Sequence, residues 1–265
     1  MLDKKYVRMF VAGIIGIIVV YARLFRPTWD YFPPDSLVRS LGRSWIVTAG
    51  VRNVAFFMYI VVALSIMTLF FSLLQRRWAL QAGTKGLLFG MSLGVIWAFG
   101  FLSGWAFLGT TLHAETLNCL IDLIGLSAAG YLIGLMVGQD IPPPRRKTPK
   151  PLLAVVVIAL GFVTVHSLGA ATFSNLLTET ADLLLRPGTL LQYGLLLGLG
   201  VWAGQMFVML RHTLPFKNTV LRSAFFAFGV FGHSWIWFHL FFAIEFSGVL
   251  ATTLLTGLVG SVGVF

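Results

Sequence analysis

The side chains in this chain that could do chemistry are few, and they stand where a charge is costly. His113, Glu115, Asp122, His166, His233, His239 and Glu245 interrupt or flank long apolar runs. Ionisable groups in such runs mark ion paths, proton relays or binding sites when they face a protein interior. Six of them, His113, Glu115, Asp122, His166, His239 and Glu245, fall at similar depth on the outer side, with His233 about two turns deeper; converging, the six would bind a cation, relay protons or hold a metal. His233 and His239 are six residues apart, and at about 100° of rotation per residue they fall on different helix faces, so they form no local bidentate metal pair. His166 with His239, on facing helices, is the one arrangement that would suit haem. The segment His233-Ser234-Trp235-Ile236-Trp237-Phe238-His239 is denser in rings than packing requires. It reads as an aromatic pocket for a planar or cationic ligand. The expected substrate-binding set is therefore Asp122, His166, His239, His233, Glu115, Glu245, Trp235 and Trp237, with Gln205 and Thr164 as single polar handles. No HExxH zinc pair and no GxSxG elbow occurs, and Cys119 is the only cysteine, which excludes an internal disulfide or a CxxC site. No catalytic set stands out, and the residues name neither a cofactor nor a metal.

The elements that must position these groups follow from composition. Of 265 residues, 58% are hydrophobic and 11% charged, whereas a soluble domain carries about 25% charged residues. So much apolar surface needs lipid as its solvent. In lipid every backbone polar group must be paired internally, which leaves helices or a closed barrel. A barrel strand alternates apolar and polar residues. Val54–Leu74 is apolar all round, so the expected fold is all-α, a polytopic transmembrane bundle. A crossing takes about 20 residues. Eight candidate spans satisfy or approach this: Arg8–Ala22, Asn53–Leu74, Gly86–Gly109, Leu117–Gly138, Leu152–Ala171, Gly188–Leu210, Leu221–Ile244 and Gly248–Phe265. The basic start resembles a signal peptide, but the run ends in Tyr21-Ala22-Arg23 with no small-residue cleavage site. An uncleaved first helix is expected.

Charge sets the expected orientation. Lys4, Lys5, Arg8, Arg76, Arg77, Lys85, Arg145, Arg146, Lys147, Lys150, Arg211, Lys217 and Arg222 all fall on one side if eight spans thread in order. Positive loops stay inside, so both termini are expected in the cytoplasm of a cell-membrane protein. The net charge of +10 thus reflects loops facing anionic lipid, and no nucleic-acid partner is implied. Arg23–Arg52 breaks the rule, being basic and aromatic on the outer side. Its Leu37, Leu41 and Trp45 recur every four residues after Pro33-Pro34, as in an interfacial amphipathic helix or lid.

Gln139–Pro151, with Pro142, Pro143, Pro144, Pro149 and Pro151, is the longest polar linker. It divides the chain into a first four-helix half (1–138), a basic linker (139–151) and a second four-helix half (152–265). Trp105 and Glu115 are ten residues apart, as are Trp235 and Glu245, and the two pairs are 130 residues from each other. A four-helix unit repeated in the same orientation implies an axis along the membrane normal. Glycines recur every four residues at Gly90 and Gly94, Gly100 and Gly104, Gly130, Gly134 and Gly138, Gly194 and Gly198, and Gly200 and Gly204. Such stripes let helices approach closely.

Tyr21-Ala22-Arg23-Leu24-Phe25-Arg26-Pro27-Thr28-Trp29 resembles the YxxLxKPxW stretch of the TspO/MBR tryptophan-rich sensory family. Trp235-Ile236-Trp237 with Leu240-Phe241-Phe242 resembles that family's WAWxxLFF segment. The resemblance implies a five-helix protein that binds porphyrins and other apolar ligands in an aromatic pocket. Here the double proline is displaced by two residues and the second match falls in the seventh span, so no residue roles are carried over.

Large intramembrane polar clusters and pseudo-repeats accompany transport. The expected function is a small-solute permease with a polar site toward the outer side, taking a small molecule or an ion. The alternative is a non-transporting ligand-binding or accessory membrane protein with an aromatic pocket. A third reading is a haem- or quinone-linked membrane oxidoreductase. The bilayer is the certain partner, and an oligomer or membrane partner subunits remain open.

Overall fold

The computed structural model describes residues 4–25, 42–141, 152–173, 189–247 and 250–265. Within them the chain is helical: α1 (Lys4–Phe25), α2 (Trp45–Thr48), α3 (Arg52–Gln75), α4 (Ala82–Leu108), α5 (Leu112–Val137), α6 (Leu152–Phe173), α7 (Leu190–Leu210), α8 (Thr219–Ala224), a π-helical segment (Phe225–Phe231), α9 (Gly232–Glu245) and α10 (Leu250–Val264). Seven helices are long and apolar enough to cross a membrane, with α8, the π segment and α9 counting as one. The chain is thus an integral membrane protein of the helical-bundle class. These seven match the first seven spans expected from the sequence to within a few residues at most ends. The eighth is the shorter α10, whose 15 residues rise only about 22 Å at 1.5 Å each. Arg26, Arg39, most of the expected interfacial helix, Pro142–Pro151 and Glu179, Asp182 and Arg186 lie outside the described residues.

The helices end for identifiable reasons. Gly109 closes α4 in the left-handed region at φ 68°, a conformation that glycine adopts without Cβ strain. Thr189 and Gln192 form a reciprocal capping box at the start of α7, and the Asn218 side chain accepts from Val220 and Leu221 at the start of α8. Ser44 caps α2 through the amide of Val47, and its own amide donates to the Glu245 carbonyl at 3.0 Å. The end of the first long loop is therefore fastened to the end of α9. Trp45, expected on the apolar face of an interfacial helix, is 73% exposed at the first residue of the four-residue α2.

Packing follows the small residues. α4 lies against α5 more extensively than any other described pair. A Cβ on Gly86 would stand 2.1 Å from the Gly130 carbonyl oxygen, and one on Gly130 would stand 2.3 Å from that of Gly86. Gly90 meets Leu126 and Gly134 meets Ala82 in the same way, backbone on backbone. In lipid no hydrophobic effect draws helices together, so close van der Waals approach must do so. Gly200 and Gly204 zip α7 onto Ala159 and Val155 of α6. α1 packs on α5, α10 on both α9 and α6, α4 on α7, and α9 on α4 and α3. The core between them is aromatic and aliphatic, with Phe71, Phe89, Phe162, Phe226 and Phe231 wholly buried.

At the end of the bundle where α3 gives way to α4, Lys85 is fully buried. Its ammonium donates to the carbonyls of Gln75 (3.0 Å) and Gln139 (2.6 Å). The Gln75 side chain in turn accepts from the Gln139 amide at 3.0 Å. One cation thus satisfies carbonyls at the C-terminal ends of both α3 and α5, where the partial charge is negative.

Candidate functional site

The π segment decides how the site is built. Ser65, Thr68, Ser72, Ser92, Ser103, Thr116, Ser167 and Ser261 each donate to the carbonyl four residues earlier. This is how a hydroxyl in an apolar helix satisfies itself. Ser234 does not. The carbonyl four residues before it belongs to Val230, inside the π segment, where an i→i+5 pattern replaces the α-helical one. The Ser234 hydroxyl is buried, with no hydrogen-bond partner among the described residues. Immediately after the π turn comes the ring-rich segment singled out in the sequence, now set on two opposite faces of α9.

One face meets a cavity of about 730 Å³ between α1 and α3, floored by α4, α5 and α9. Its walls are almost entirely apolar. Ala12, Gly13 and Gly16 of α1 leave the room, and nothing stands within 4 Å of a Cβ on Gly13 or Gly16. Rings gather at one end: Tyr59 and Trp237 are edge-on at 5.0 Å, Phe56 and Phe241 are 5.1 Å apart, and Trp97 is 6.4 Å from Tyr59. The Tyr59 hydroxyl donates to the Trp237 carbonyl (2.5 Å) and the Trp97 indole to the Ser234 carbonyl (3.2 Å). Asp122, His233 and Ser234 are the polar residues of the lining that carry neither a phenol nor an indole.

The opposite face packs toward α6 and α10. Trp235 and His239 are edge-on at 4.4 Å, and the Nδ1 of His239 lies 2.8 Å from the Trp235 carbonyl. That contact fixes Nδ1 as the protonated nitrogen and leaves the lone pair on Nε2. His166 is buried against Phe162 at 4.6 Å. Among the described residues neither of its ring nitrogens has a hydrogen-bond partner, and the Trp235 indole nitrogen has none either. A Cβ on Gly260 would stand 2.5 Å from Trp235 Nε1 and 3.5 Å from His166 Nε2. The Trp235 indole and the His166 ring thus flank one glycine of α10.

The other expected residues sit elsewhere. Glu245 is paired with Arg52, Nε to Oε1 at 2.6 Å, which ties the start of α3 to the end of α9. The same guanidinium lies 4.8 Å over the Phe56 ring. His113 is exposed at the start of α5. Glu115 is buried on α5 beside Gly104 of α4 and is within 3.4 Å of the Asn118 amide. Glu115, Asn118 and Asp122 are all buried on α5, and their spacing of three and then four residues puts them on one helical stripe. Asn118 was missed because an amide inside an apolar run carries no charge signal. The spacing would have found it.

The six outer ionisable groups are therefore spread over separate places. Asp122 shares the cavity with His233, His166 faces the His239 side of α9, Glu115 sits at the α4–α5 end, and Glu245 is in its ion pair. Among the described residues no three His, Cys, Asp or Glu side chains are grouped to hold a metal. The short resemblance to the tryptophan-rich sensory proteins covers only the end of α1 with residues beyond it, and the middle of α9. No protein-family model, no curated protein and no solved structure matches this chain.

Proposed function

We propose that this integral membrane protein binds a lipophilic small molecule in the cavity between α1 and α3, the molecule entering sideways from the bilayer. The cavity itself carries the reading. Pockets of roughly 300–1,000 Å³ with apolar walls and a few placed polar groups are the usual form of a small-molecule site, and this one measures about 730 Å³. The binding reading stands ahead of the small-solute permease. A permease site calls for outer charges around a shared space, whereas Glu245 is committed to Arg52 and His166 lies across α9 from Asp122.

Eight crossings in two halves, with both termini cytoplasmic, complete the proposal. Pairing α1 with α6, α3 with α7, α4 with α9 and α5 with α10 makes the contacts reciprocal. α1 packs on α5 as α6 packs on α10, α4 on α5 as α9 on α10, and α4 on α7 as α9 on α3. One pair departs from this symmetry. α6 and α7 are zipped by Gly200 and Gly204, while their counterparts α1 and α3 stand apart. The cavity is the gap that remains.

The test is to fill it. Gly16→Leu adds a side chain where a Cβ meets nothing within 4 Å. Wild type and variant would be purified from membranes, extracted with organic solvent and compared by mass spectrometry for bound lipophile per mole of protein. Stoichiometric lipophile in wild type, lost in a variant that melts at the same temperature, is expected. Equal amounts in both would reject the cavity as the site. Counterflow in proteoliposomes would bring the permease reading back.

A further inference from the structure

The lipophile's chemical class is the next question, and its answer rests on the binding reading above. The polar group that the cavity wall offers is unusual in kind and in depth. Ser234 is 97% buried, being 3% exposed, and its hydroxyl, just after the π segment, has no partner among the described residues. A helical turn that left this hydroxyl orphaned in hydrocarbon would cost free energy for no return. π turns inside helices recur at functional sites. His233, half-buried, stands beside Ser234 on the same wall, with its ring 6.1 Å from Trp237 and 5.6 Å from Phe70.

Depth narrows the candidates. Ser234 is eleven residues from Glu245, the last residue of α9, which puts it about 16 Å below that end at 1.5 Å per residue. The hydrocarbon core is about 30 Å thick, so Ser234 lies near its middle. A phospholipid headgroup or a sterol hydroxyl stays at the interface and does not reach this level. A saturated chain reaches it but leaves the hydroxyl unpaired. An uncharged ring carbonyl both partitions to this depth and accepts a hydrogen bond from a hydroxyl. A flat, electron-poor ring also suits the electron-rich faces of Tyr59 and Trp237.

We infer that the cavity between α1 and α3 takes a ring-carbonyl lipophile of the alkylated quinone type, its carbonyl accepting from the Ser234 hydroxyl at mid-membrane and its tail leaving sideways between the two helices. The hydroxyl is itself buried, so the bond requires the Ser234 side chain to turn toward the cavity that the residue lines. No electron transfer is part of this inference.

Two probes separate the alternatives. One is a benzoquinone carrying a ten-carbon chain, and the other is benzene carrying the same chain. Quinone binding is read from quenching of tryptophan fluorescence, to which Trp97 and Trp237 contribute, and alkylbenzene binding from its displacement of the quinone, with the full chain in lipid nanodiscs. The quinone should bind wild type more tightly than the alkylbenzene. Ser234→Ala should weaken the quinone about tenfold, the size of a good hydrogen bond, and leave the alkylbenzene unchanged. Equal affinity of the two probes for wild type, or a gap between them that survives Ser234→Ala, overturns the ring-carbonyl assignment. If Gly16→Leu still abolishes both, the lipophile site stands without it. If Gly16→Leu leaves both probes bound, the cavity reading fails first and the inference falls with it. Comparing the two probes on wild type keeps the test decisive even where the alanine variant folds poorly.

Discussion

Among single residues, Lys85 departs furthest from what its type suggests. A lysine between two apolar runs reads as a loop charge, yet its ammonium is buried and bonded to two carbonyls that end helices. Lys85→Met keeps the length and apolar stem of the side chain and removes both bonds. Hydrogen bonds to a charged donor contribute about 1.5–3 kcal/mol each, and the lost desolvation cost of the ammonium offsets part of that. The expected net loss is about 2 kcal/mol, read as a lower unfolding midpoint in detergent. An unchanged midpoint would mean that the ammonium only balances its own burial. Ser234 and His166 are the reverse case. Among the described residues the Ser234 hydroxyl and the His166 ring nitrogens have no hydrogen-bond partners, so each group costs the fold free energy locally.

At the scale of elements, the glycines separate into those that set helix distance and those that do not. A Cβ on Gly130 lies 2.3 Å from a carbonyl oxygen and 2.8 Å from the Gly90 Cα, whereas one on Gly194 meets nothing within 4 Å. Gly130→Ala must push α4 and α5 apart, at the cost of about 1–3 kcal/mol usual for overpacking. Gly194→Ala meets no obstacle and should stabilise α7 by about 0.5–1 kcal/mol through backbone entropy alone. Opposite shifts in the unfolding midpoint of the two variants would check this, and shifts of the same sign would refute it. The π segment matters at the same scale. It sets the phase of α9, which turns His233 and Trp237 to the cavity and Trp235 and His239 to α6 and α10.

For the whole molecule, the eight-span proposal makes a direct statement about sides. Reporter tags at both termini, and a cysteine label at position 146, should report the cytoplasm, while a label at position 179 should report the outside. Termini found on opposite faces would remove the eighth crossing and with it the two equal halves. The duplication is checked separately. α4 should superpose on α9 by rotation about the membrane normal, and an axis lying in the membrane plane would defeat it.

Composition and unbroken apolar runs were enough to determine that the chain is a helical membrane protein. They also located the first seven long helices, because a run of that length without alternation has one way to pair its backbone in lipid. The glycine stripes already announced close helix contacts, since spacing by four is a local property. The six-residue step from His233 to His239 correctly separated their faces for the same reason. What only the tertiary structure decided is where those faces point. Depth along a span says nothing of rotation about it, so groups at one level were expected together and are spread around the bundle. The pairing of Glu245 with Arg52 joins residues 193 positions apart, and no local pattern encodes it. The π turn has no sequence signature in Phe225–Phe231, yet it leads directly into the helix that carries His233, Ser234 and Trp237 to the cavity wall. The cavity itself is a failure of two helices to close, a property of the packed bundle and of no residue within it.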